Sequence, residues 1–147
     1  VREILKSGNI RELRNNSFVL ERDNGKLAIA GVDDVWAHKA DIDRVMKTLP
    51  EADVPAILLA HEPDFADASA ETGRFALQMS GHSHGGQIRI PVMGPPYLPR
   101  YGKKYPKGQY QVRNMIQYTN CGIGMTPPNF RFSCPPEITI FDLTQVA

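Results

Sequence analysis

Phe75-Ala76-Leu77-Gln78-Met79-Ser80-Gly81-His82-Ser83-His84-Gly85-Gly86-Gln87 is the stretch that decides the fold: an apolar segment runs into a glycine-framed turn carrying two imidazoles. Phe75 to Ser80 reads as a strand, and the glycines on both sides of the histidines let the backbone bend sharply after it. At a strand end, residues i and i+2 point the same way, so His82 and His84 can face one site. On a helix they would not share a face. One step outward, the run from Val54 to Ala60 ends at a further histidine, His61. Apolar on both faces, it predicts a central buried strand. Two core strands that each end in histidine predict an α/β fold whose polar chemistry gathers at the strand ends.

The remaining segments fit that class. Val1, Ile4 and Leu5 recur at helical spacing before a Ser7-Gly8-Asn9 stop, with no capping residue ahead of them. This reads as a helix already in progress and predicts a fold begun upstream of Val1. Ile10 to Leu13 predicts a short strand and Asn15-Asn16 a turn. Ser17 to Glu21 and Lys26 to Val32 predict a β-hairpin around Asp23-Asn24-Gly25, whose Asn-Gly pair tolerates positive φ. Asp41 is a plausible N-cap for an amphipathic helix to Leu49, with Ile42, Val45, Met46 and Leu49 on one stripe and Pro50 beyond. Pro63-Asp64 opens a short helix through about Ala70. Gln87 to Ile90 continues as extended chain, and Pro91 to Lys107 is a long irregular segment of the kind that carries function. Gln109 to Val112 and Met115 to Thr119 predict a second hairpin around Arg113-Asn114. After a Gly/Pro-rich loop from Gly122 to Cys134, Glu137 to Leu143 predicts a final strand.

Bulk properties exclude several classes. The 147 residues are 41% hydrophobic and 22% charged, as in an ordinary globular protein. Seventeen basic against sixteen acidic residues leave a net charge of +1, so no global field recruits nucleic acid or a membrane. No stretch reads as a signal peptide or as a bilayer span. Cys121 and Cys134 could pair, but two thiols make no disulfide framework, and their spacing is neither that of a zinc nor of a redox motif; small, partly buried thiols are the plainer reading.

His61, His82 and His84 together suggest a metal centre, against the plainer reading of hydrogen-bonded histidines at a sheet rim. Three imidazoles alone would suit one zinc with an open position. A two-metal hydrolytic site, with ions about 3.5–4 Å apart, also needs carboxylates. Glu62 is expected to point away from the rim, Asp64 to serve a helix first turn, and Asp33-Asp34 to lie in a loop or cap, so the carboxylate supply is short.

Leu58-Leu59-Ala60-His61-Glu62-Pro63-Asp64 followed by Leu77 to Gln87 resembles the last two metal motifs of calcineurin-like metallophosphoesterases, in the bacterial branch with an extended Gly-His-Thr-His-Gly-Gly-Gln motif. Leu13-Arg14-Asn15, Ala30 to Asp34, Arg131-Phe132 and Pro135 to Ile138 fit that branch too. The resemblance covers nearly the whole chain, with Ser83 in place of the usual threonine. It implies the C-terminal part of a four-layer α/β/β/α sandwich, with residues 1–147 a portion of one phosphoesterase domain. It implies two divalent ions (Mn, Zn, Fe, Ni or Mg), with His61 and His82 on the second and His84 on the first. The family's Asp-x-His, Gly-Asp-x-x-Asp and Gly-Asn-His-Asp motifs, which carry the bridging aspartate and the general-acid histidine, do not occur here. The expectation is therefore a phosphodiester- or pyrophosphate-hydrolysing enzyme present as a portion inactive alone, with no catalytic residue of its own.

The backbone at Gly85-Gly86 and Gly122-Ile123-Gly124 could approach phosphate, plain turn geometry being the simpler reading, and Arg89 and Arg131 read more readily as structural or exposed than as phosphate partners. The resemblance leaves room for a lipid-linked phosphoester and for membrane association through an upstream segment, and leaves localisation open between membrane and cytoplasm. Two other classes compete: a self-contained cupin-like metal-binding β domain, which lacks a histidine after His84, and an interaction module presenting Tyr97, Tyr101, Tyr105 and Tyr110.

Overall fold

Strand pairing sets the architecture. The computed structural model describes residues 2–23 and 25–144, with element order α1 (Arg2–Ser7), β1 (Asn16–Arg22), β2 (Gly25–Gly31), α2 (Ile42–Thr48), β3 (Ala56–Leu59), α3 (Ala66–Glu71), β4 (Leu77–Ser80), β5 (Gly108–Val112) and β6 (Met115–Thr119). The fold is α/β: the six strands form one mixed sheet in the order β1-β2-β3-β4-β6-β5. Parallel pairing runs through β2, β3, β4 and β6, and each edge is an antiparallel hairpin. The sheet is open, with β1 and β5 at its edges, so it does not supply the closed barrel that a cupin-like reading needs.

Both predicted hairpins form. In the first, Asp23 takes φ 54° ahead of Gly25; Asn24, like Val1 at the start of the predicted opening helix, lies outside the described residues. In the second, Arg113 takes φ 53° between Val112 and its partner Met115. The Asp41 side chain caps α2 by accepting the Arg44 N–H at 2.9 Å, as the sequence predicts.

One face of the sheet is covered. Ala28 and Ala30 of β2 and Ala56 and Leu58 of β3 are buried with Val45 of α2 and Ala66 and Ala70 of α3. Alanines on the strands leave room for helix side chains to pack close to the sheet. Toward β6 the same layer turns polar. Gln78 lies opposite Gln117; its amide donates to Ser80 Oγ at 3.1 Å and its oxygen accepts from Ser69 Oγ. Gln117 Nε2 donates to Thr119 Oγ1 at 3.0 Å, and Thr119 Oγ1 donates to the Tyr105 carbonyl at 2.6 Å. These bonds offset much of the cost of burying the amides, Gln117 Oε1 alone being left without a partner among the described residues, and tie α3 and the 105 loop to the strands.

The other face is more open. Leu20, Leu59 and Ile116 remain 46%, 40% and 37% exposed, although central parallel strands are ordinarily covered on both sides. Phe141 packs against Tyr118 here, ring centroids 5.1 Å apart.

Two predicted strands, Ile10 to Leu13 and Glu137 to Leu143, do not form, and the extended Gln87 to Ile90 stays outside the sheet. Ile10 to Leu13 is irregular because its start closes α1: the N–H groups of Gly8 and Ile10 donate to Ile4 and Leu5 carbonyls at 3.0 and 2.9 Å, and Asn9 turns left-handed at φ 53°. Gln87 to Ile90 makes only isolated bridges, Ile88 to Phe132 and Ile90 to Gly94. Glu137 to Leu143 alternates correctly but has no strand to pair with; Ile138 and Ile140 are 83% and 91% exposed. Side chains anchor that segment instead, through Glu137 to Tyr118 and through Thr139 to Asn120 at 2.8 Å. Among the described residues no helix is long and apolar enough to cross a membrane.

Candidate metal centre

β3 and β4 bring two of the three histidines together. Beyond the paired residues, the Ala60 N–H donates to the Met79 carbonyl and the Gly81 N–H to the His61 carbonyl, both at 3.1 Å, so the strand ends stay in step. Gly81 then frees the chain to turn, and His82 enters the left-handed region at φ 66°. Its ring meets that of His61, with His82 Nδ1 3.2 Å from His61 Nε2.

His82 Nε2 lies 2.9 Å from the Arg100 carbonyl. A carbonyl only accepts, so Nε2 carries the proton and Nδ1 keeps its lone pair. Partial desolvation of the otherwise exposed His61 lowers its pKa, and the nearby His82 and His84 add to this against the opposing pull of Glu62 and Asp34. This direction favours the neutral imidazole that a metal ligand must be. Alone, the pair forms an N–H···N hydrogen bond. Two imidazoles on one tetrahedral ion, each about 2.0–2.1 Å from it, also sit about 3.3 Å apart, so the pair fits a shared divalent ion.

His84 departs from the i, i+2 expectation. The segment is a tight turn rather than extended strand, with His84 at φ 51° and Gly85 at φ 62°. His84 does not join the contact between the other two rings, and its Nδ1 is buried with no hydrogen-bond partner. An orphaned imidazole nitrogen beside two converging ones suits a ligand set that is incomplete here. No carboxylate completes it: among the described residues no group of three or more His, Cys, Asp or Glu side chains is arranged to hold an ion.

The four candidate carboxylates have other work. Asp33 pairs with Arg14, with Arg14 Nε at 2.9 Å. Asp34 accepts the Ala37 N–H at 2.7 Å. Buried Glu62 turns away from the rim and accepts the N–H groups of Val35 and Trp36 at 3.3 and 3.4 Å. Asp64 does more than sit in a first helical turn: it gathers the N–H groups of Lys103, Lys104 and Tyr105 at 3.0, 3.0 and 3.2 Å. This holds the 99–106 loop over the histidine turn, where a methyl group on Gly102 would come within 3.4 Å of His82 Cδ2. Ser83 Oγ donates to the Pro106 carbonyl of the same loop at 2.6 Å.

A second loop holds the other end of the turn. Arg131 donates to the carbonyls of Gly124, Cys121 and Gly122 at 2.6, 2.8 and 3.0 Å, and to those of Cys134 and His84 at 3.3 and 3.4 Å. Arg89 likewise donates to the Gly85 carbonyl at 2.9 Å. Both arginines are structural. Cys121 and Cys134 are free and buried. A Cβ on Gly85 would fall 2.5 and 2.7 Å from their two sulfurs, so glycine is required there for packing as well as for its φ. Burial pushes the Cys121 thiol up to about 12, with Glu137 and Cys134 adding to the shift, which leaves it protonated and unreactive at neutral pH. Gln87 locks onto the same loop, donating to the Thr126 and Pro128 carbonyls at 2.7 and 2.8 Å. The motif's glycines and glutamine thus serve packing and turn geometry.

The four tyrosines do not form one face. Tyr97 is exposed, whereas Tyr105 is buried against Tyr110 with ring centroids 5.2 Å apart. The residue that motif reading passed over is Trp36, whose ring lies 5.7 Å from that of His82 in an edge-to-face arrangement. The available signal was its place in the loop that follows β2 at the histidine-bearing end of the sheet.

Over 145 residues, 97% of its length, the chain is 39% identical to the uncharacterized metallophosphoesterase YkuE of Bacillus subtilis. It is 34% identical over 143 residues to the phosphodiesterase YaeI of Escherichia coli, and 28% identical over 156 residues to the putative metallophosphoesterase F40B5.2 of Caenorhabditis elegans. It covers 49%, 50% and 31% of those proteins, so the chain spans about half the length of the first two. No protein-family model and no solved structure matches it. The strand-end histidines and the Gly-His-Ser-His-Gly-Gly-Gln turn thus lie in a chain that is similar over nearly its whole length to about half of each of two bacterial proteins named as a metallophosphoesterase and a phosphodiesterase.

Proposed function

We propose that this chain supplies the histidine side of a two-metal phosphoesterase site that hydrolyses phosphodiesters or pyrophosphates. His61 and His82 share one ion, His84 ligates the other, and the bridging carboxylate and general acid come from sequence outside these 147 residues. The observation that carries this is the convergence of His61 Nε2 and His82 Nδ1 at 3.2 Å, with the far nitrogen of His82 fixed by the Arg100 carbonyl. The orphaned His84 Nδ1 supports a further ligand position. The open apolar sheet face, and relatives about twice as long as this chain, support a remaining part that packs on it.

Divalent ions, when bound, would supply an activated water and charge neutralisation at the phosphoryl oxygens. This chain's residues prepare the site. The Arg100 carbonyl selects the His82 tautomer, partial desolvation favours the neutral form of His61, and Asp64 fixes the loop that carries Arg100.

Trp36 is the chain's only tryptophan and reports on His82 directly. Titration with Co(II), a paramagnetic quencher, is expected to lower its fluorescence saturably, and His61→Ala and His82→Ala to weaken that binding by tenfold or more, on the order of a lost ligand. Unchanged affinity in both variants would remove these residues from the site. The protein that carries this chain together with the remaining ligands is expected to hydrolyse bis(4-nitrophenyl) phosphate, and His82→Ala to abolish it.

A further inference from the structure

Beside the histidine pair stands an aromatic ring that the metal reading does not use. Trp36 is 46% exposed, and its ring meets that of His82 edge-to-face at 5.7 Å, with an interplanar angle of 76°. The loop that carries it is held at several points. The Asp33 N–H donates to Asn15 Oδ1 at 2.9 Å, the Ala37 N–H to Asp34 Oδ1 at 2.7 Å, and the Lys39 N–H to the Asp34 carbonyl at 2.9 Å. The Val35 and Trp36 N–H groups themselves go to the carboxylate of Glu62, the residue next to His61. A buried carboxylate is costly unless its oxygens are satisfied. Here it ties the tryptophan loop to the strand end that carries the first histidine.

The loop backbone is thus fixed before any ligand arrives, and the large, half-exposed ring that it carries rests edge-on against His82. A preorganised aromatic surface binds without the ordering cost that a mobile side chain would pay. Indole favours flat aromatic groups, edge-to-face or offset-stacked, over aliphatic ones. From its place beside His82, it is within reach of an ester substituent on a phosphorus held at the metal pair.

We infer that Trp36 is a substrate-contacting residue that selects phosphoesters bearing an aromatic group on phosphorus, packing that group against its exposed ring. The inference rests on the phosphoesterase reading, because it takes the phosphoryl group to sit at His61 and His82.

The test measures binding rather than turnover. Phenylphosphonate and methylphosphonate carry the same charged group and differ only in the substituent. Their affinities for the Mn(II)-loaded protein that carries this chain together with the remaining ligands are read by calorimetry for wild type, Trp36→Ala and Trp36→Phe, with metal-free protein as control. Wild type is expected to prefer phenylphosphonate by about tenfold, Trp36→Ala to bind both alike, and Trp36→Phe to keep most of the preference. Methylphosphonate affinity should stay within about twofold across the three. An equal loss for both phosphonates in Trp36→Ala would make the ring only a support for His82 and overturn the inference. So would a wild type with no preference, even though the phosphoesterase reading would stand. Metal binding with no phosphonate binding in that complete protein would overturn both readings. In the complete enzyme, phenyl and methyl 4-nitrophenyl phosphates share a leaving group, and their kcat/KM ratio should fall about tenfold in Trp36→Ala.

Discussion

The two loops that brace the histidine turn solve one problem with opposite charge. At the His82 end, the Asp64 carboxylate gathers three backbone N–H groups from residues 103–105. At the His84 end, the Arg131 guanidinium gathers five backbone carbonyls from His84, Cys121, Gly122, Gly124 and Cys134. Neither loop has a ladder to satisfy its own peptide groups, so one ionised side chain gathers several of them in each. The two braces differ in depth. The first sits at the surface against water, whereas the second closes over two buried cysteines. Arg131 Nε is itself buried, so water replaces that brace less readily when it is lost.

Arg131→Met should therefore be the most damaging change, costing at least about 3 kcal/mol as several carbonyls lose their donor. Arg131→Lys should recover little, since an ammonium lacks the planar fork. Urea unfolding midpoints measure both, and a loss below about 1 kcal/mol for Arg131→Met would erase the contrast between the braces.

Gly85→Ala is the next test of the inner brace. It forces alanine to φ 62° and places a methyl group 2.5 and 2.7 Å from the two cysteine sulfurs, a cost of about 2–3 kcal/mol. Adding Cys134→Ala should return part of this steric cost and leave the backbone strain.

Asp64→Ala should cost less stability, about 1–2 kcal/mol, because water can reach the released N–H groups. Its sharper effect should be functional. With Arg100 no longer held against His82 Nε2, metal affinity read from Trp36 fluorescence should fall about tenfold. A fall in stability with no change in affinity would reduce Asp64 to a loop anchor.

The smallest effect is that of acid on the inner loop. Burial pushes the Glu137 carboxyl up, but hydrogen bonds from Tyr118, Thr139 and Cys121 outweigh it and hold the group down at about 2, against an ordinary 4.5. A folded-state pKa below the unfolded one contributes stability that is complete above about pH 4.5 and lost as pH falls toward 2. Because the carboxylate is partly solvated, the contribution is no more than about 1–2 kcal/mol. Stability measured from pH 5 to 2 should fall in wild type and fall less in Glu137→Gln.

Much of this could be read before any coordinates. Asp41 capping α2, both hairpins, and the strands that end at His61 and His82 follow from turn chemistry and hydrophobic period, which act over a few residues. The convergence of His61 and His82 followed from parallel strands ending together. What could not be read was which charged residue serves which loop. Asp64 and the amides it collects are about forty residues apart in sequence, and Arg131 reaches back 47 residues to His84. Glu137 to Leu143 shows the converse case: its alternation is that of a strand, yet pairing needs a partner that the described residues do not offer it.

The sequence by itself determined the family resemblance, the α/β class and the three metal-ligand candidates, because motif spacing and periodicity are local and survive without knowledge of contacts. Tertiary structure alone decided that His84 stands apart from the other two rings, that the motif glycines serve packing, and that Trp36 stands beside the pair. Those outcomes depend on which distant backbone groups arrive at a side chain, and only the folded chain brings them within hydrogen-bonding distance.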